Sequence, residues 1–186
     1  MPQVWFTSDT HFGHSNVIRY SARPFADIHA HDEALIAAWN ARVARSDEIW
    51  HLGDFALSLD ATALARVFRR LHGRKHLIVG NHDARAVLRL PWASPPRPMH
   101  EIFVEGRRVV LCHYAMRSWR RIHNGAVHLY GHTHATIPGT RHSEDAGVDA
   151  WDYAPVRLPD LLARMAGNTR LEDELARDDP GSETEC

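Results

Sequence analysis

Five times along this chain a short apolar run stops and an Asp, Asn or His follows at once. Val4-Trp5-Phe6-Thr7-Ser8 leads into Asp9-Thr10-His11-Phe12-Gly13-His14, and Glu48-Ile49-Trp50-His51-Leu52 leads into Gly53-Asp54. His76-Leu77-Ile78-Val79 is followed by Gly80-Asn81-His82-Asp83, the run over 108–112 by His113, and Val127-His128-Leu129-Tyr130 by Gly131-His132-Thr133-His134. Such runs read as strands. Open α/β sheets bind ligands outside the carboxyl ends of their strands. Five strand ends bearing metal-capable side chains therefore call for a fold that can gather them at one edge.

Helical patterns separate the first three runs. From about His29 to Ala44, Leu35, Ile36, Trp39 and Val43 form an apolar stripe. From Asp60 to Leu71, Leu64, Val67, Phe68 and Leu71 recur at i, i+3, i+4 and i+7, with Asp60 placed to cap. Further on, 101–104 and 108–112 read as a hairpin around Glu105-Gly106-Arg107, and Gly147-Val148-Asp149 reads as another strand. A last helix begins with Pro159 in its first turn and turns Leu161, Leu162 and Met165 inward. Helices alternate with strands early and strands dominate late, which describes an α/β domain with mixed sheets.

The chain has 186 residues, the size of one domain. We read 1–167 as that domain and 168–186 as a polar, acidic tail. Lys and Arg number 22 against 23 Asp and Glu, so there is no global basic excess of the nucleic-acid-binding kind. No apolar stretch is long enough for a bilayer, and the first residues lack the pattern of an export signal. Cys112 and Cys186 are the only cysteines and are not placed to pair, which suits a reducing, cytoplasmic setting. Histidine is the anomaly, at 15 residues. His51 and His128 sit inside strands and read as structural.

The local spacing adds detail. Asp9 and His11 are two apart, as are His132 and His134, so in extended chain each pair points to one side. A mixed set of carboxylate, imidazole and amide suits Mn, Fe or Zn better than Ca or Mg. No cysteine stands among the candidates, which excludes a structural thiolate zinc site.

In their order, Asp9-x-His11, Gly53-Asp54, Gly80-Asn81-His82-Asp83, His113 and Gly131-His132-Thr133-His134 resemble the signature of calcineurin-like metallophosphoesterases. The segments 8–14, Arg23-Pro24-Phe25 and 147–153 further resemble a compact bacterial and phage subgroup. The resemblance implies an α/β/β/α sandwich, with two mixed β-sheets flanked by helices and the site at the strand ends. It also implies two divalent transition metal ions (Mn, Fe, Zn or Ni, with Mn the first to try in vitro). Asp9, His11 and His134 would hold one ion and Asn81, His113 and His132 the other, with Asp54 bridging. His82 would be the catalytic histidine in hydrolysis of a phosphoester by a dimetal-activated water. The charges agree: two dications bring four positive charges and Asp9 and Asp54 cancel two, leaving charge for a hydroxide and an anionic phosphate.

One departure stands out. The family's usual second carboxylate, three residues after the bridging aspartate, is here Leu57. Asp83 then either takes part in the acid step by orienting His82 or caps the helix that follows. His14, Arg19 and Arg23 are the candidates for contact with substrate phosphate, against plainer readings as loop packing and surface charge. Few fixed cations lie near the motifs, which favours a phosphodiester of a nucleotide or a nucleic-acid end over a monoester. A non-catalytic scaffold of the same fold is the rival reading, and retention of His82 speaks against it. Oligomeric state is left open.

Overall fold

A computed structural model describes residues 2–168. Four parallel or antiparallel strands form one sheet in the order β3 (Arg74–Leu77), β2 (Glu48–His51), β1 (Val4–Thr7), β8 (Val156–Arg157). The first three run parallel and β8 antiparallel to β1. The second sheet has the order β4 (Met99–Val104), β5 (Arg107–Cys112), β6 (Val127–Tyr130), β7 (Ser143–Asp145), antiparallel only between β4 and β5. Both sheets are thus mixed, and helices flank them, as the resemblance implied.

The strand pleat sorts the core into layers. Neighbouring residues point to opposite faces, so Ile49 and Leu77 join the helix-facing cluster while Trp50 and Ile78 join the cluster shared with the second sheet. In the helix-facing layer, α2 (Ile28–Arg42) contributes Leu35, Ile36 and Trp39, and α3 (Ala61–Arg70) contributes Leu64, Val67 and Phe68. Between the sheets Phe6, Trp50, Leu52 and Ile78 meet Val109, Leu111 and Leu129. A parallel sheet covered on both faces needs apolar runs, which is why β1 and β2 stand out in the sequence. Strand β3 is Arg74-Lys75-His76-Leu77, two residues before the expected His76–Val79, with only its last two residues buried. Each such fully buried side chain contributes about 1.5–3 kcal/mol relative to exposure. The outer face of the second sheet takes Val110 against Trp119, Ile122 and Ala126.

The helix starts follow local chemistry. The Asp60 carboxylate accepts from Ala63 N at 2.8 Å, and Asp27 caps α2 in the same way on Ala30 N. The last helix, α5 (Leu158–Ala166), carries Pro159 in its first turn and buries Leu161 and Met165. The β4–β5 turn is Glu105-Gly106, with φ of 49° and 76°, the left-handed pair that a two-residue hairpin requires.

Several elements differ from expectation. Gly147-Val148-Asp149 is not a strand: Gly147 makes one bridge to Ser8, and Val148–Ala150 then closes a 3-10 turn. The Asp145 carboxylate holds Gly147 N at 2.6 Å, and Val148 O takes the amide of Tyr153, which turns the chain back. Strands β7 and β8 have no apolar signature, being Ser143-Glu144-Asp145 and Val156-Arg157. Of two short helices, α1 (Ser15–Tyr20) lies in a segment that reads as a loop, while α4 (Arg85–Leu88) is the helix expected after Asp83; neither has a side-chain cap. Asn168, the first residue of the expected tail, bonds the Glu144 carboxylate at 2.9 Å. The rest of that tail lies outside the described residues. No helix among them is long and apolar enough to cross a membrane.

Candidate active site

The carboxyl ends of β1, β2, β3, β5 and β6 open toward one edge of the sandwich. Two sets of ligating atoms meet there. Asp9, His11 and His134 offer atoms within 4.8 Å of one another, and so do Asp54, His113 and His132. Asp54 Oδ2 stands between them, 3.6 Å from His11 Nε2 and 3.5 Å from His113 Nε2. Asn81 Oδ1 completes the second set at 3.0 Å from His113 Nε2. All seven expected ligands are therefore brought together.

The way they converge differs from the extended-chain argument. Asp9, His11, Asp54, His132 and His134 all have positive φ, between 48° and 66°. Spacing of two in an extended strand does not describe them. Each chain turns sharply as it leaves its sheet, a conformation that costs non-glycine residues of order 1–3 kcal/mol and clusters at functional sites. Interlocked loops hold the turns. Asp9 N, His11 N and Phe12 N donate to the carbonyls of Gly53, Asp54 and Phe55, each at 3.0 Å. Gly53, at φ 103°, passes so close that a Cβ there would sit 2.5 Å from His113 Nδ1 and 2.7 Å from Gly80 Cα.

Hydrogen bonds choose which imidazole nitrogen faces inward. His113 Nδ1 donates to Leu52 O at 2.8 Å, and His134 Nδ1 donates to Asp149 Oδ2 at 2.7 Å. In each ring Nε2 is left for the site, the arrangement that backs metal-ligating histidines. Asp9 Oδ2 accepts from His132 N at 2.9 Å, which leaves Oδ1 for the site, 3.9 Å from both His11 Nε2 and His134 Nε2.

The electrostatics show a missing positive charge. Burial pushes the Asp9 carboxyl up to about 7 and the His11 imidazolium down to about 2. Asp9 Oδ1 and both His11 ring nitrogens are buried without a hydrogen-bond partner. Burial also pushes Asp54 up, but the hydrogen bond and charge of His113, the His82 amide and His11 outweigh it, holding Asp54 at about 2. Burial opposes the charge on His113, yet Asp54 and Asp9 raise its pKa. A proton on His113 Nε2 would stand where Asp54 Oδ2 and Asn81 Oδ1 converge. Orphaned lone pairs, two carboxylates and inward-facing neutral imidazoles fit divalent transition ions, two candidate positions in all.

The other expected residues fall into different places. His14 lines the cleft over the site, its ring 5.4 Å from His11 and 6.4 Å from His82. His82 is exposed, with its ring 5.6 Å from His11. Asp83 does not cap α4, whose N-cap is Ala84. Its carboxylate instead takes three backbone amides, Gly80 at 2.8 Å, Phe55 at 2.9 Å and Asp54 at 3.0 Å. That bonding ties the Asn81 loop to the Asp54 loop. Arg19 is exposed, its guanidinium 4.9 Å over the Tyr20 ring.

Arg23 is corrected outright. It is 3% exposed and cannot reach a substrate in the cleft. Its guanidinium grips both oxygens of Asp149 at 2.8 and 2.7 Å, Asp9 O at 2.7 Å, Thr10 O at 3.3 Å and His31 Nε2 at 2.8 Å. His51 and His128 are structural as expected, bonded to Thr10 and to the Val110 carbonyl. Asp149 is the functional residue that sequence reasoning passed over. It lay in a segment singled out for resemblance, but nothing local marks it as the partner of His134.

A model of the calcineurin-like phosphoesterase superfamily domain matches residues 3–148. An uncharacterised protein of Methanocaldococcus jannaschii is 31% identical over 173 residues, covering 89% of this chain and 92% of its own. The Gene 66 protein of Mycobacterium phage L5 is 30% identical, covering 81% and 88%. A solved protein of unknown function from Aquifex aeolicus shares the fold at TM-score 0.67 and 22% identity, over 84% of this chain and 95% of its own. This chain belongs to the calcineurin-like metallophosphoesterase superfamily. With a candidate dimetal site in that fold, it is a phosphoric ester hydrolase.

Proposed function

We propose that the protein is a phosphodiesterase acting on a nucleotide-like substrate, with Asp54 shared between two metal positions. The observation that carries the dinuclear reading is Asp54 Oδ2, within 3.6 Å of an imidazole nitrogen from each ligand set. Asp9, His11 and His134 would hold one ion, and Asn81, His113 and His132 the other. Two divalent ions so held, with Mn the first to test, would supply Lewis acidity that lowers the pKa of water and would offset charge developing on the phosphoryl group.

The chain's own groups divide the remaining work. Water that has given one proton to solvent attacks phosphorus opposite the leaving oxygen, a new P–O bond forms as the ester P–O bond breaks, and His82 gives its ring proton to the departing oxygen and regains one from solvent. Asp83 acts as a positioning residue by holding the Asp54 and Asn81 loops together. Preference for a diester follows from charge. The cleft over the site is lined by no Lys, Arg, Asp or Glu, and Arg23 is neutralised by Asp149. A monoester dianion would lack the extra fixed cations that a diester monoanion does not need. The free thiol of Cys112 supports a cytoplasmic setting, and residues 1–167 serve as the catalytic domain.

The test compares bis-(nitrophenyl) phosphate with nitrophenyl phosphate at matched pH, on metal-free protein reloaded with Mn, Ni, Fe, Zn or Mg. Higher catalytic efficiency on the diester is expected. Higher efficiency on the monoester would overturn the preference, and absence of turnover with every metal would overturn the enzyme reading.

A further inference from the structure

We infer that Tyr20 and Tyr114 are base-stacking platforms, one beside each metal position, and that the substrate is a short dinucleotide-like phosphodiester with an unpaired base on either side of the phosphate. The inference rests on the phosphodiesterase reading above and adds what lies on the two ester oxygens.

Tyr20, Phe103 and Tyr114 are the large exposed rings among the described residues, and the two tyrosines are the ones placed beside the ligand sets. Tyr20 is 68% exposed at the end of α1 and lines an open cleft of about 500 Å³. The floor of that cleft includes His11 and His134 of the first set, and Val17, Ala22 and Thr136 lie along it. The volume is in the ~300–1,000 Å³ range of small-molecule sites. Arg19 covers one face of the Tyr20 ring at 4.9 Å, which braces the ring from that side. Tyr114 is 48% exposed. It follows His113 directly, and its ring stands edge-on to His113 at 5.1 Å and to His132 at 4.9 Å, both members of the second set.

A phosphodiester held over the dinuclear site sends one organic group toward each side. On the Tyr20 side the cleft wall is Val17, Ala22 and the ring itself, with no Lys or Arg in the lining, which suits a neutral flat group better than a second phosphate. Bases stack on aromatic side chains when their faces are free, as in single strands, whereas paired duplex bases are already covered. A long strand would want a basic track for its backbone, and the cleft beside Tyr20 has no Lys or Arg in its lining. Two platforms and one site for phosphate match a dinucleotide.

Equilibrium binding tests this without depending on turnover. A dinucleoside phosphate and its abasic counterpart, equal in charge and backbone, are titrated calorimetrically into metal-loaded full-length protein carrying His82→Ala. The base-bearing ligand should bind more tightly. Adding Tyr20→Ala or Tyr114→Ala should each cut that advantage by roughly 5- to 100-fold, as for loss of one stacked base, and the Phe variants should restore it. Equal Kd for the two ligands, or an advantage untouched by both Ala variants, would overturn the platforms. A preserved base-dependent Kd with no cleavage of either diester by the wild-type protein would instead sink the phosphodiesterase reading and leave the platforms standing.

Discussion

Arg23 and Asp149 form a two-pronged buried ion pair, at 2.8 and 2.7 Å, that reaches the candidate metal site from behind. The same Asp149 carboxylate takes His134 Nδ1–H, and the same guanidinium holds Asp9 O and Thr10 O. One side chain thereby fixes the positive-φ turn that presents Asp9 and His11 and, through Asp149, the ring of the third member of their set. His31 accepts from Arg23 and is itself held by Asp32 at 2.8 Å.

Arg23→Lys keeps a charge but loses the planar fork. Metal affinity at one of the two positions should fall about 10- to 100-fold, the usual effect of losing support behind a ligand. Metal titration of the stripped protein reads this directly. Arg23→Ala should also cost up to about 3–5 kcal/mol of stability by leaving buried Asp149 with His134 as its partner and no guanidinium, read by urea denaturation. If either variant raised KM while metal binding stayed intact, Arg23 would be a substrate contact after all.

Asp54→Asn keeps the shape of the shared ligand and removes its charge. Bound metal should drop below about two per chain, the content of a two-metal site, with loss of turnover. Mass spectrometric metal analysis after desalting is the check. Full occupancy in the variant would dismiss the bridging role.

Metal uptake should depend on pH through Asp9. Without metal its carboxyl titrates at about 7 because it is buried. Below that pH an incoming ion must displace a proton, so affinity should climb as pH rises through 7, with proton release. His11, pushed down to about 2, is already neutral throughout this window and adds nothing to the slope. His134 and His113, opposed by burial but raised on balance by Asp149 and Asp54, must also give up a proton and steepen it in the same direction. The sign for the metal-free fold is the reverse of the usual acid. The unfolded Asp9 loses its proton near 3.8 and the folded one near 7, so its own contribution to stability falls as pH rises between them, while the buried neutral His11 and His51 contribute with the opposite sign below about 6.5. Calorimetry in buffers of differing ionisation heat, and melts of stripped protein compared with Asp9→Asn across pH 5–8, would show both effects. A pH-independent affinity would refute the account.

His82 and Asp83 should separate cleanly. His82→Ala should keep its metal and lose about 100- to 10,000-fold on alkoxide leaving groups, but much less on nitrophenolate, which departs unprotonated. Equal losses on both would mean a positioning role. Asp83→Ala strands three buried amides, at about 1–3 kcal/mol for each left unsatisfied. Its melting temperature should fall and its metal binding weaken, whatever the leaving group. A stable Asp83→Ala with a His82-like leaving-group dependence would return Asp83 to the acid step.

The sequence by itself determined the β1 and β2 strands, the two long helices and the seven candidate ligands that the fold brings together. Strands covered on both faces must be continuously apolar, α2 and α3 must show helical stripes, and the ligands stand at the points where those runs end. Tertiary structure decided what local pattern cannot carry. Strands β7 and β8 are short and polar because they complete sheets whose apolar faces others supply. The left-handed turns at Asp9, His11, Asp54, His132 and His134 are held by bonds from neighbouring loops, so two-residue spacing misjudged how the ligands converge. Arg23 looked like a surface cation because its partner lies 126 residues away. Whether a charged side chain meets substrate or braces a ligand is set by what surrounds it in space, and burial against Asp149 gave Arg23 the second role.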